Sequence, residues 1–198
     1  MSAKRGRPAK GTENSSKDKI IDATVNIIKN EGAKAVTVRN VCTRAGLSIG
    51  TFYHYFRDKD DLMMHFLRET SFDTFELTTP LSDIAGRITE LYMHLINSYM
   101  ELGLEFMKSF YSTENRSLSV YMGETDGSFA PGTVMARSED EMNKAAAKGY
   151  IKTKTDIHTV CMDICTIVKG SVFEWCLNGG TTDIEPSLTR IIRKYLNN

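Results

Sequence analysis

Four ring side chains follow one another at Tyr53, His54, Tyr55 and Phe56, within a stretch that also holds Gly50. A tyrosine hydroxyl and an imidazole can each donate a hydrogen bond to a phosphate oxygen. A glycine lets a ligand approach the backbone closely. Successive side chains on a helix point in different directions, so four consecutive rings cannot all be buried on one face. The pattern predicts that some of these rings contact a polar partner; the alternative is that all four pack a small core.

Two helices are predicted to precede this cluster. Ser15 or Ser16 caps a first helix of about four turns, in which isoleucine and valine recur at helical spacing and Gly32 provides a stop. Thr37 is at the N-cap position of a second, shorter helix, which must end within the Ala-Gly-Leu turn of residues 45–47. These two helices position the ring cluster.

Ser48 caps a third short helix, in which Phe52 and Phe56 are four positions apart and face inward together. Two short helices joined by a tight glycine turn and braced by a longer one form the helix-turn-helix arrangement, which places a helix in the major groove of DNA. The outer face of the third helix then carries Ile49, Gly50, Tyr53 and His54.

The run VTVRNVCTRAGLSIGTFYHYFRDKDDLMMHFL, residues 36–67, resembles the DNA-binding domain of the tetracycline-repressor (TetR) family. The shared pattern is a Thr-led helix, an Ala-Gly-Leu-Ser turn, a Gly-Thr-aromatic-Tyr segment ending in Phe, and a lysine shortly beyond. The resemblance covers about residues 17–67. The remaining residues resemble the family only in being helical and of the right length.

The resemblance implies a set of DNA contacts. Thr37 and Arg39 would meet a phosphate or a base edge, and Lys59 would bind a phosphate where a fourth helix begins, a position that helix amides and dipole also favour for an anion. The residues implied to line the groove are Ser48, Ile49, Gly50, Thr51, Tyr53 and His54, with Tyr55 assigned either to the core or to phosphate. Many relatives have a polar residue at the position of Ile49, so contact with a thymine methyl is expected there.

A second basic segment precedes the helices. KRGRPAKG, residues 4–11, places Arg5 and Arg7 on either side of a glycine and resembles the core of an AT-hook. Two guanidinium groups on an extended backbone suit the narrow minor groove of A·T-rich DNA. Residues 1–15 are therefore predicted to be a flexible DNA-binding arm; the alternative is a solubilising tail.

The chain after the ring cluster is predicted to be helical throughout, so the fold class is all-α. The helix-turn-helix domain is assigned to residues 16–60 and a helical domain for effector binding and dimerisation to residues 61–198. The fourth helix is expected to continue past Phe72 and Phe75 to the Thr-Thr-Pro break at residues 78–80. Further helices are predicted at 81–102, from 105, at 133–148, 155–177 and 183–196, with a loop at 112–132 and no strands.

Methionine and aromatic side chains are concentrated in this second part. They suit a cavity for a hydrophobic or aromatic small molecule, and they suit an ordinary helical core equally well. The family resemblance favours the effector pocket, because this domain binds an effector and dimerises in relatives. Dimerisation also has a physical reason, since a short recognition helix reads only a few base pairs. The predicted pocket residues are Tyr92, Tyr99, Phe106, Phe110, Met135, Met162 and Trp175.

His158, Cys161, Cys165 and Cys176 share one predicted helix. Such a stripe could bind a soft metal or sense oxidants, but buried cysteine is common in helical cores and the spacing is poor for zinc. No metal site and no cofactor are therefore predicted. A thiol- or metal-sensing regulator remains a lesser alternative.

Composition and charge restrict the function classes. The 198 residues are 41% hydrophobic, and no apolar run approaches the roughly 20 residues of a membrane helix, so a cytoplasmic protein with no membrane contact is expected. Residues 1–70 have a net charge of +5 and residues 71–198 a net charge of −5, which indicates that only the first part meets a polyanion. No catalytic motif is present, so an enzyme is not predicted.

The combined prediction is a homodimeric, ligand-responsive regulator, acting as a repressor, which binds double-stranded DNA at a pseudo-palindromic operator. Its effector is a small molecule of unknown identity. The alternative is an architectural DNA-binding protein that responds to no effector.

Overall fold

A computed structural model of the protein describes residues 15–68, 72–112, 115, 118, 124–125, 127–151 and 155–196. Within these ranges it contains nine α-helices, one short 3-10 helix and one two-stranded hairpin. The all-α prediction is thus confirmed, apart from the hairpin. The predicted arm with Arg5 and Arg7 lies outside the described residues.

The first helix begins and ends where its local signals predict. Helix α1 spans Ser16–Glu31 and is preceded by Ser15, whose hydroxyl accepts from the Asp18 N–H while the Asp18 carboxylate accepts from the Ser15 N–H. This reciprocal pair is a capping box, which satisfies two otherwise unpaired donors. Gly32, with φ of 85°, ends the helix and leads into the 3-10 helix Ala33–Ala35.

Helices α2 (Val38–Ala45) and α3 (Ile49–Tyr55) form the helix-turn-helix. Thr37 caps α2, and the turn after it uses Gly46 at φ 65° and ψ 34°, a left-handed conformation that costs glycine little. The interior of this three-helix unit is apolar, with four side chains fully buried against one another: Ile20, Ile27, Val41 and Phe52. The core fixes the direction in which α3 presents its remaining side chains.

The remaining helices form a second group. They are α4 (Lys59–Arg68), α5 (Ile84–Met100), α6 (Leu104–Phe110), α7 (Val134–Ala147), α8 (Ile157–Leu177) and α9 (Ile184–Leu196). Helix α5 packs against α6, α7 and α9, and α8 packs against α6, α7 and α9. Helix α6 also contacts the 3-10 helix after α1, so it joins the two groups.

The prediction that the fourth helix continues to residue 80 is wrong. Helix α4 is described to Arg68, and residues 72–83 form a non-helical segment, here called the strap, on the surface of α5. The Phe72 N–H donates to the Gly132 carbonyl at 3.0 Å, and the N–H groups of Thr78 and Thr79 donate to Glu90 at 2.8 Å each. Aspartate and threonine are weak helix formers, so these tertiary hydrogen bonds outweigh the hydrophobic pattern.

The Glu90 carboxylate holds the strap. Burial would raise its pKa, but hydrogen bonds from the backbone of Thr78 and Thr79 outweigh burial and lower the pKa to about 2. Because the pKa is depressed in the folded state, the stabilisation is complete above the ordinary value of 4.5 and is lost as the pH falls through about 2.

Replacing Glu90 with glutamine is expected to lower the free energy of unfolding by roughly 2 kcal/mol at neutral pH, the usual value of a charge-assisted hydrogen bond. The loss should shrink as the pH falls through about 2, because the native carboxyl then becomes protonated as well. Urea unfolding at a series of pH values measures this difference. Glu101→Gln, at an exposed carboxylate that ends the same helix, should change stability little at any pH. If Glu90→Gln lowered the free energy of unfolding equally at every pH in this range, the lowered pKa assigned to Glu90 would be contradicted.

The prediction that the loop at 112–132 contains no strands is also wrong. Strands β1 (Glu124–Thr125) and β2 (Ser128–Phe129) pair antiparallel across a turn that contains Gly127 at φ 77°. Phe129 is buried and its ring stacks on His158 with centroids 4.1 Å apart. This ring contact joins the hairpin to α8, and β2 also packs against α7. None of the described helices is both long and apolar enough to cross a membrane.

Candidate nucleic-acid interface

Helix α3 separates its ring side chains into two sets. Phe52 is fully buried and Phe56, just after the helix, is 3% exposed, with ring centroids 5.7 Å apart. Tyr53 is 56% exposed, and His54 and Tyr55 are also exposed. The alternative that all four rings pack a core is therefore excluded, because a helix of 3.6 residues per turn directs neighbouring residues to different faces. Tyr55, at 38% exposed, lies at the edge of that surface.

The predicted groove-lining residues lie together on the exposed face of α3. Ser48 caps the helix by accepting from the Thr51 N–H at 3.0 Å, and its hydroxyl is 2.8 Å from the Thr51 hydroxyl. Ile49 is 50% exposed although it is apolar, and Gly50 is exposed beside it. No carboxylate occurs between Ile49 and Tyr55. The surface thus combines hydroxyl, imidazole and methyl groups without a negative charge that would repel phosphate.

Thr37 and Arg39 lie at the other end of the helix-turn-helix, at the start of α2. The Thr37 hydroxyl accepts from the Asn40 N–H at 3.1 Å, while the Arg39 side chain is exposed. Arg44, near the end of α2, points instead towards α1, where it pairs with Glu31 and donates to Asn26 at 3.1 Å. Arg39 is therefore available to a phosphate, while Arg44 fixes α2 against α1.

Lys59 is the first residue of α4 and is exposed. Two hydrogen bonds position the start of this helix: the Asp58 carboxylate accepts from the Asp61 N–H at 2.7 Å, and the Asp61 carboxylate accepts from the Arg57 N–H at 3.0 Å. The Arg57 side chain is 80% exposed and makes only a 3.7 Å contact with Asp61. Sequence reasoning missed Arg57; its only signal was a second cation two residues before Lys59.

Gly50 has no special backbone conformation, but it leaves open space on the exposed face. A Cβ atom built there would meet only the Ser48 hydroxyl, at an ordinary 3.7 Å. The protein itself could therefore accommodate a larger side chain. If a small residue is required at position 50, the requirement therefore comes from a binding partner that approaches α3 from outside.

Gly50→Leu is expected to have opposite effects on stability and on DNA binding. Leucine favours the helix over glycine, so the free energy of unfolding should rise by about 0.5–1 kcal/mol. If DNA approaches the α3 backbone, its affinity should fall by at least about tenfold, or ~1.4 kcal/mol. Thermal unfolding and fluorescence anisotropy on one preparation measure the two quantities. Unchanged DNA affinity would show that nothing approaches this part of α3.

Comparison with known proteins gives sequence matches for this region. Residues 20–65 match the family described as bacterial regulatory proteins, tetR family. The HTH-type transcriptional regulator BetI of Escherichia coli K12 is 36% identical over 62 residues, which cover 31% of this chain and 32% of BetI. The chain thus aligns with about a third of the length of this relative.

The solved structures extend the likeness to the fold of the whole chain. TylP, a TetR regulator from Streptomyces fradiae, aligns with a TM-score of 0.55 at 16% identity over 89% of this chain and 84% of TylP. FadR of Thermus thermophilus, a TetR-family repressor in complex with lauroyl-CoA, aligns with a TM-score of 0.50 at 14% identity over 89% of this chain and 91% of FadR. Residues 20–65 thus form a region of the tetR-family type.

The side chains predicted to line an effector pocket, apart from Trp175, lie in the packed interior of the second helical group. Six of the seven are buried, and Met162 is partly buried. Phe106 stacks on Phe110 at 5.6 Å, and Tyr99 lies 5.8 Å from Phe110. Tyr92 is separate from these rings and donates its hydroxyl to Met135 Sδ at 3.0 Å. The structure thus divides the predicted set into a ring stack and a tyrosine–methionine pair.

Trp175 does not join either group. Its indole lies against Gly180, and it lines an open groove of about 610 Å³ between α8 and α9. Gly170 and Ser171 line the same groove from α8, and Ile191 does so from α9. Trp175 therefore faces the outside of the helical group rather than its centre.

The four cysteines are all free thiols. Burial raises the pKa of each, in the case of Cys161 to about 12 with a further contribution from Glu139. A raised pKa leaves very little reactive thiolate at neutral pH. In the described part of the chain, no three His, Cys, Asp or Glu side chains are grouped so that they could hold a metal ion. The chemistry of these thiols argues against oxidant sensing.

Proposed function

We propose that this chain is a DNA-binding transcriptional regulator that acts as a homodimer and represses at a pseudo-palindromic operator until a small molecule binds. The observation that carries the proposal is the division of rings in α3. Phe52 and Phe56 anchor the helix, while Tyr53 and His54 are exposed beside Ile49. An exposed, uncharged and partly apolar helix on a rigid support suits the major groove.

The contacts with DNA fall into two kinds. Tyr53, His54 and Ile49 would meet base edges or thymine methyls, with Ser48 and Thr51 beside them. The proposed phosphate contacts, which fix the orientation of the domain, are Thr37, Arg39, Tyr55 and Lys59. Arg57 is added to them because its side chain is 80% exposed just before α4. The proposed arm with Arg5 and Arg7 would extend the contact into a flanking minor groove.

The groove between α8 and α9 supports a homodimer. Phe173 and Leu177 are 51% and 65% exposed, and they share one stripe of α8 with Gly170 in the groove. Large exposed apolar side chains beside a groove indicate an interface. A two-fold pair of these helices would place the two α3 helices for successive major grooves, roughly 34 Å apart.

Phe173→Glu is expected to shift the protein from dimer to monomer, because a carboxylate would have to be buried without a partner. Light scattering after size-exclusion chromatography measures the mass. Tyr150→Glu, at an aromatic residue with a similar exposure of 49% outside the groove, is the matched control and should remain dimeric. A Phe173→Glu variant that stays dimeric would place the interface elsewhere.

The small-molecule response is proposed from the helical group and from relatives. FadR, which shares this fold, is in complex with lauroyl-CoA. Here the interior holds flexible methionine and aromatic side chains, and a ring of α6, Phe106, lies 6.2 Å from Phe66 of α4. Because Lys59 begins α4, a shift of α6 would move a DNA contact. Coupling of this kind is allosteric only if effector and DNA affinities change each other by the same factor.

Fluorescence anisotropy tests the DNA-binding part of the proposal. The full-length protein is titrated onto the DNA upstream of its own gene and onto a shuffled duplex of equal composition, at two salt concentrations. Binding to the native duplex that survives the higher salt supports a specific regulator, since non-specific binding weakens steeply with salt. Equal, salt-sensitive binding to both duplexes would favour the architectural alternative. No binding to either duplex would refute the proposal.

A further inference from the structure

Two buried hydroxyl groups in the centre of the helical group have poor hydrogen-bond partners. The Tyr92 hydroxyl of α5 donates to Met135 Sδ of α7 at 3.0 Å, and it also interacts with the Cys165 thiol of α8. A thioether and a thiol are weak acceptors. Ser138 is fully buried one turn after Met135. Its hydroxyl forms no hydrogen bond of ordinary length among the described residues, but it is close enough to the Tyr92 hydroxyl to act against the rise in the pKa of Tyr92.

This arrangement requires an explanation. Buried hydroxyl groups in folded proteins nearly always have a good partner, because an unpaired one loses its hydration without compensation. Leucine or phenylalanine would fill the same space without that loss. Tyr92 and Ser138 come from different helices, and their hydroxyl groups interact with each other, so the polar groups converge on one place in an otherwise apolar interior. Convergent polar groups in an apolar interior are typical of a small-molecule site.

The four side chains that meet here, Tyr92, Met135, Ser138 and Cys165, carry no charge at neutral pH. Burial and the neighbouring thiols of Cys165 and Cys161 raise the pKa of Tyr92 well above its ordinary value. Burial also raises the pKa of Cys165, so its thiol stays protonated. The fully buried carboxylate nearby on α7, Glu141, is already bound by Arg87 and other cations. Lys169 acts on the Cys165 thiol from one turn further along α8, but neither residue that contacts the Tyr92 hydroxyl, Met135 or Ser138, carries a charge. A charged ligand at that hydroxyl would therefore lose its hydration without contacting an opposite charge.

We propose that Tyr92, Ser138, Met135 and Cys165 form the effector site, and that its ligand is a compact, uncharged, aromatic molecule with one hydrogen-bonding oxygen. The oxygen takes the place of the Met135 thioether as the partner of the Tyr92 hydroxyl and pairs with the Ser138 hydroxyl. Methionine has three rotatable bonds and a polarisable sulfur, so Met135 can move aside and pack against an aromatic ring. The inference rests on the proposed small-molecule response and assigns its chemical class.

Ring contacts connect this site with α4. Tyr111 lies next to Phe110, with ring centroids 5.3 Å apart. Burial raises the pKa of Tyr111, and the thiols of Cys165 and Cys176 raise it further. Phe110 stacks on Phe106. Phe106 contacts Phe66 of α4 at 6.2 Å. A ligand beside Cys165 is thus one ring away from the stack that touches the DNA-binding side of the molecule.

Isothermal titration calorimetry on the reduced full-length protein tests the inference. Three probes share one ring system: neutral 2-naphthol, anionic 2-naphthoate and cationic trimethyl(2-naphthyl)ammonium. We expect 2-naphthol to bind at least about tenfold more tightly than either ion, because burying an uncompensated ion is costly. Tyr92→Phe and Ser138→Ala should each weaken 2-naphthol by about fivefold, the usual effect of one neutral hydrogen bond.

Thr89→Val is the matched control. Thr89 is also buried on α5, but its hydroxyl donates to the Ala85 carbonyl of its own helix at 2.9 Å. This variant should bind 2-naphthol like the native protein. Circular dichroism melts of all three variants establish that they are folded, and Tyr92→Phe removes only one oxygen atom.

Several results would overturn the inference. They are absence of 2-naphthol binding, equal or tighter binding of either ion, and native affinity in Tyr92→Phe. DNA anisotropy on the same preparations separates this inference from the proposed function. Operator binding with no 2-naphthol effect would refute the site alone, whereas the expected 2-naphthol pattern without DNA binding would refute the regulator and leave a ligand-binding protein.

Discussion

Phe52→Ala is expected to lower the free energy of unfolding by about 3–5 kcal/mol, whereas Tyr53→Ala should change it by less than about 1 kcal/mol. Phe52 is fully buried among α1 and α2, so its removal leaves a cavity that the small three-helix core cannot fill. Tyr53 is 56% exposed and contacts Phe52 only edge-on, at 5.6 Å. Urea unfolding followed by circular dichroism measures both changes.

The same pair should differ in the way DNA binding is lost. Tyr53→Ala is expected to remain folded and to bind its operator more weakly, by about 1–3 kcal/mol if the tyrosine contacts a base edge. Binding of a shuffled duplex should be nearly unchanged. Phe52→Ala should weaken both duplexes alike, because it reduces the folded fraction of the domain. A folded Tyr53→Ala variant with native operator affinity would exclude this face of α3 from the interface.

Glu141→Ala is expected to lower the free energy of unfolding by about 3 kcal/mol, although it removes a single polar side chain. Glu141 is 1% exposed on α7 and accepts from Arg87 Nε at 2.6 Å, with Arg137 at 3.3 Å and Lys144 at 3.2 Å. The Arg87 side chain is only 17% exposed. Without the Glu141 carboxylate, its positive charge is partly buried and has lost this anion. Arg87 also donates to the Thr79 carbonyl, so the strap should loosen as well.

The matched control for this prediction is the neighbouring residue. Asp140 also pairs with Lys144, at 2.5 Å, but both side chains are about half exposed. Asp140→Ala should therefore cost less than about 1 kcal/mol. Urea unfolding at neutral pH gives both values. Equal costs for the two variants would show that burial does not determine the strength of this network.

The pH dependence of Glu141 has a definite sign. Burial would raise its pKa, but hydrogen bonds from Arg87 and Lys144 outweigh burial and lower the pKa. The stabilisation is therefore present above the ordinary value of 4.5 and is lost as the pH falls through the lowered value. The difference between native protein and Glu141→Ala should accordingly narrow in acid, as it should for Glu90→Gln.

The DNA-facing part of the molecule was predictable from sequence because its signals are local. Ser15, Thr37 and Ser48 each cap a helix through a hydrogen bond to the residue three positions later. Gly46 takes the left-handed conformation that ends α2. The four-residue spacing of Phe52 and Phe56 identifies the inward face, which leaves Tyr53 and His54 outside.

The helical group was predictable only in outline. Helices α5 to α9 were expected within a few residues of their ends, because their apolar periodicity is strong. The division of the pocket residues was not predictable, since Tyr92 meets Met135 across 43 positions of sequence. No local pattern marks Ser138 as buried or shows that its hydroxyl lies near these two side chains.

The sequence by itself determined the caps, the turn and the inward and outward faces of α1 to α3, because those depend on side chains within about four positions of one another. Only the tertiary structure decided the course of residues 72–83, where Glu90 draws Thr78 and Thr79 out of a helical conformation across 12 and 11 positions. It alone also joined Arg87 to Glu141 across 54 positions. Hydrogen bonds of that range form only after the helices have packed, so their energies leave no trace in the local pattern.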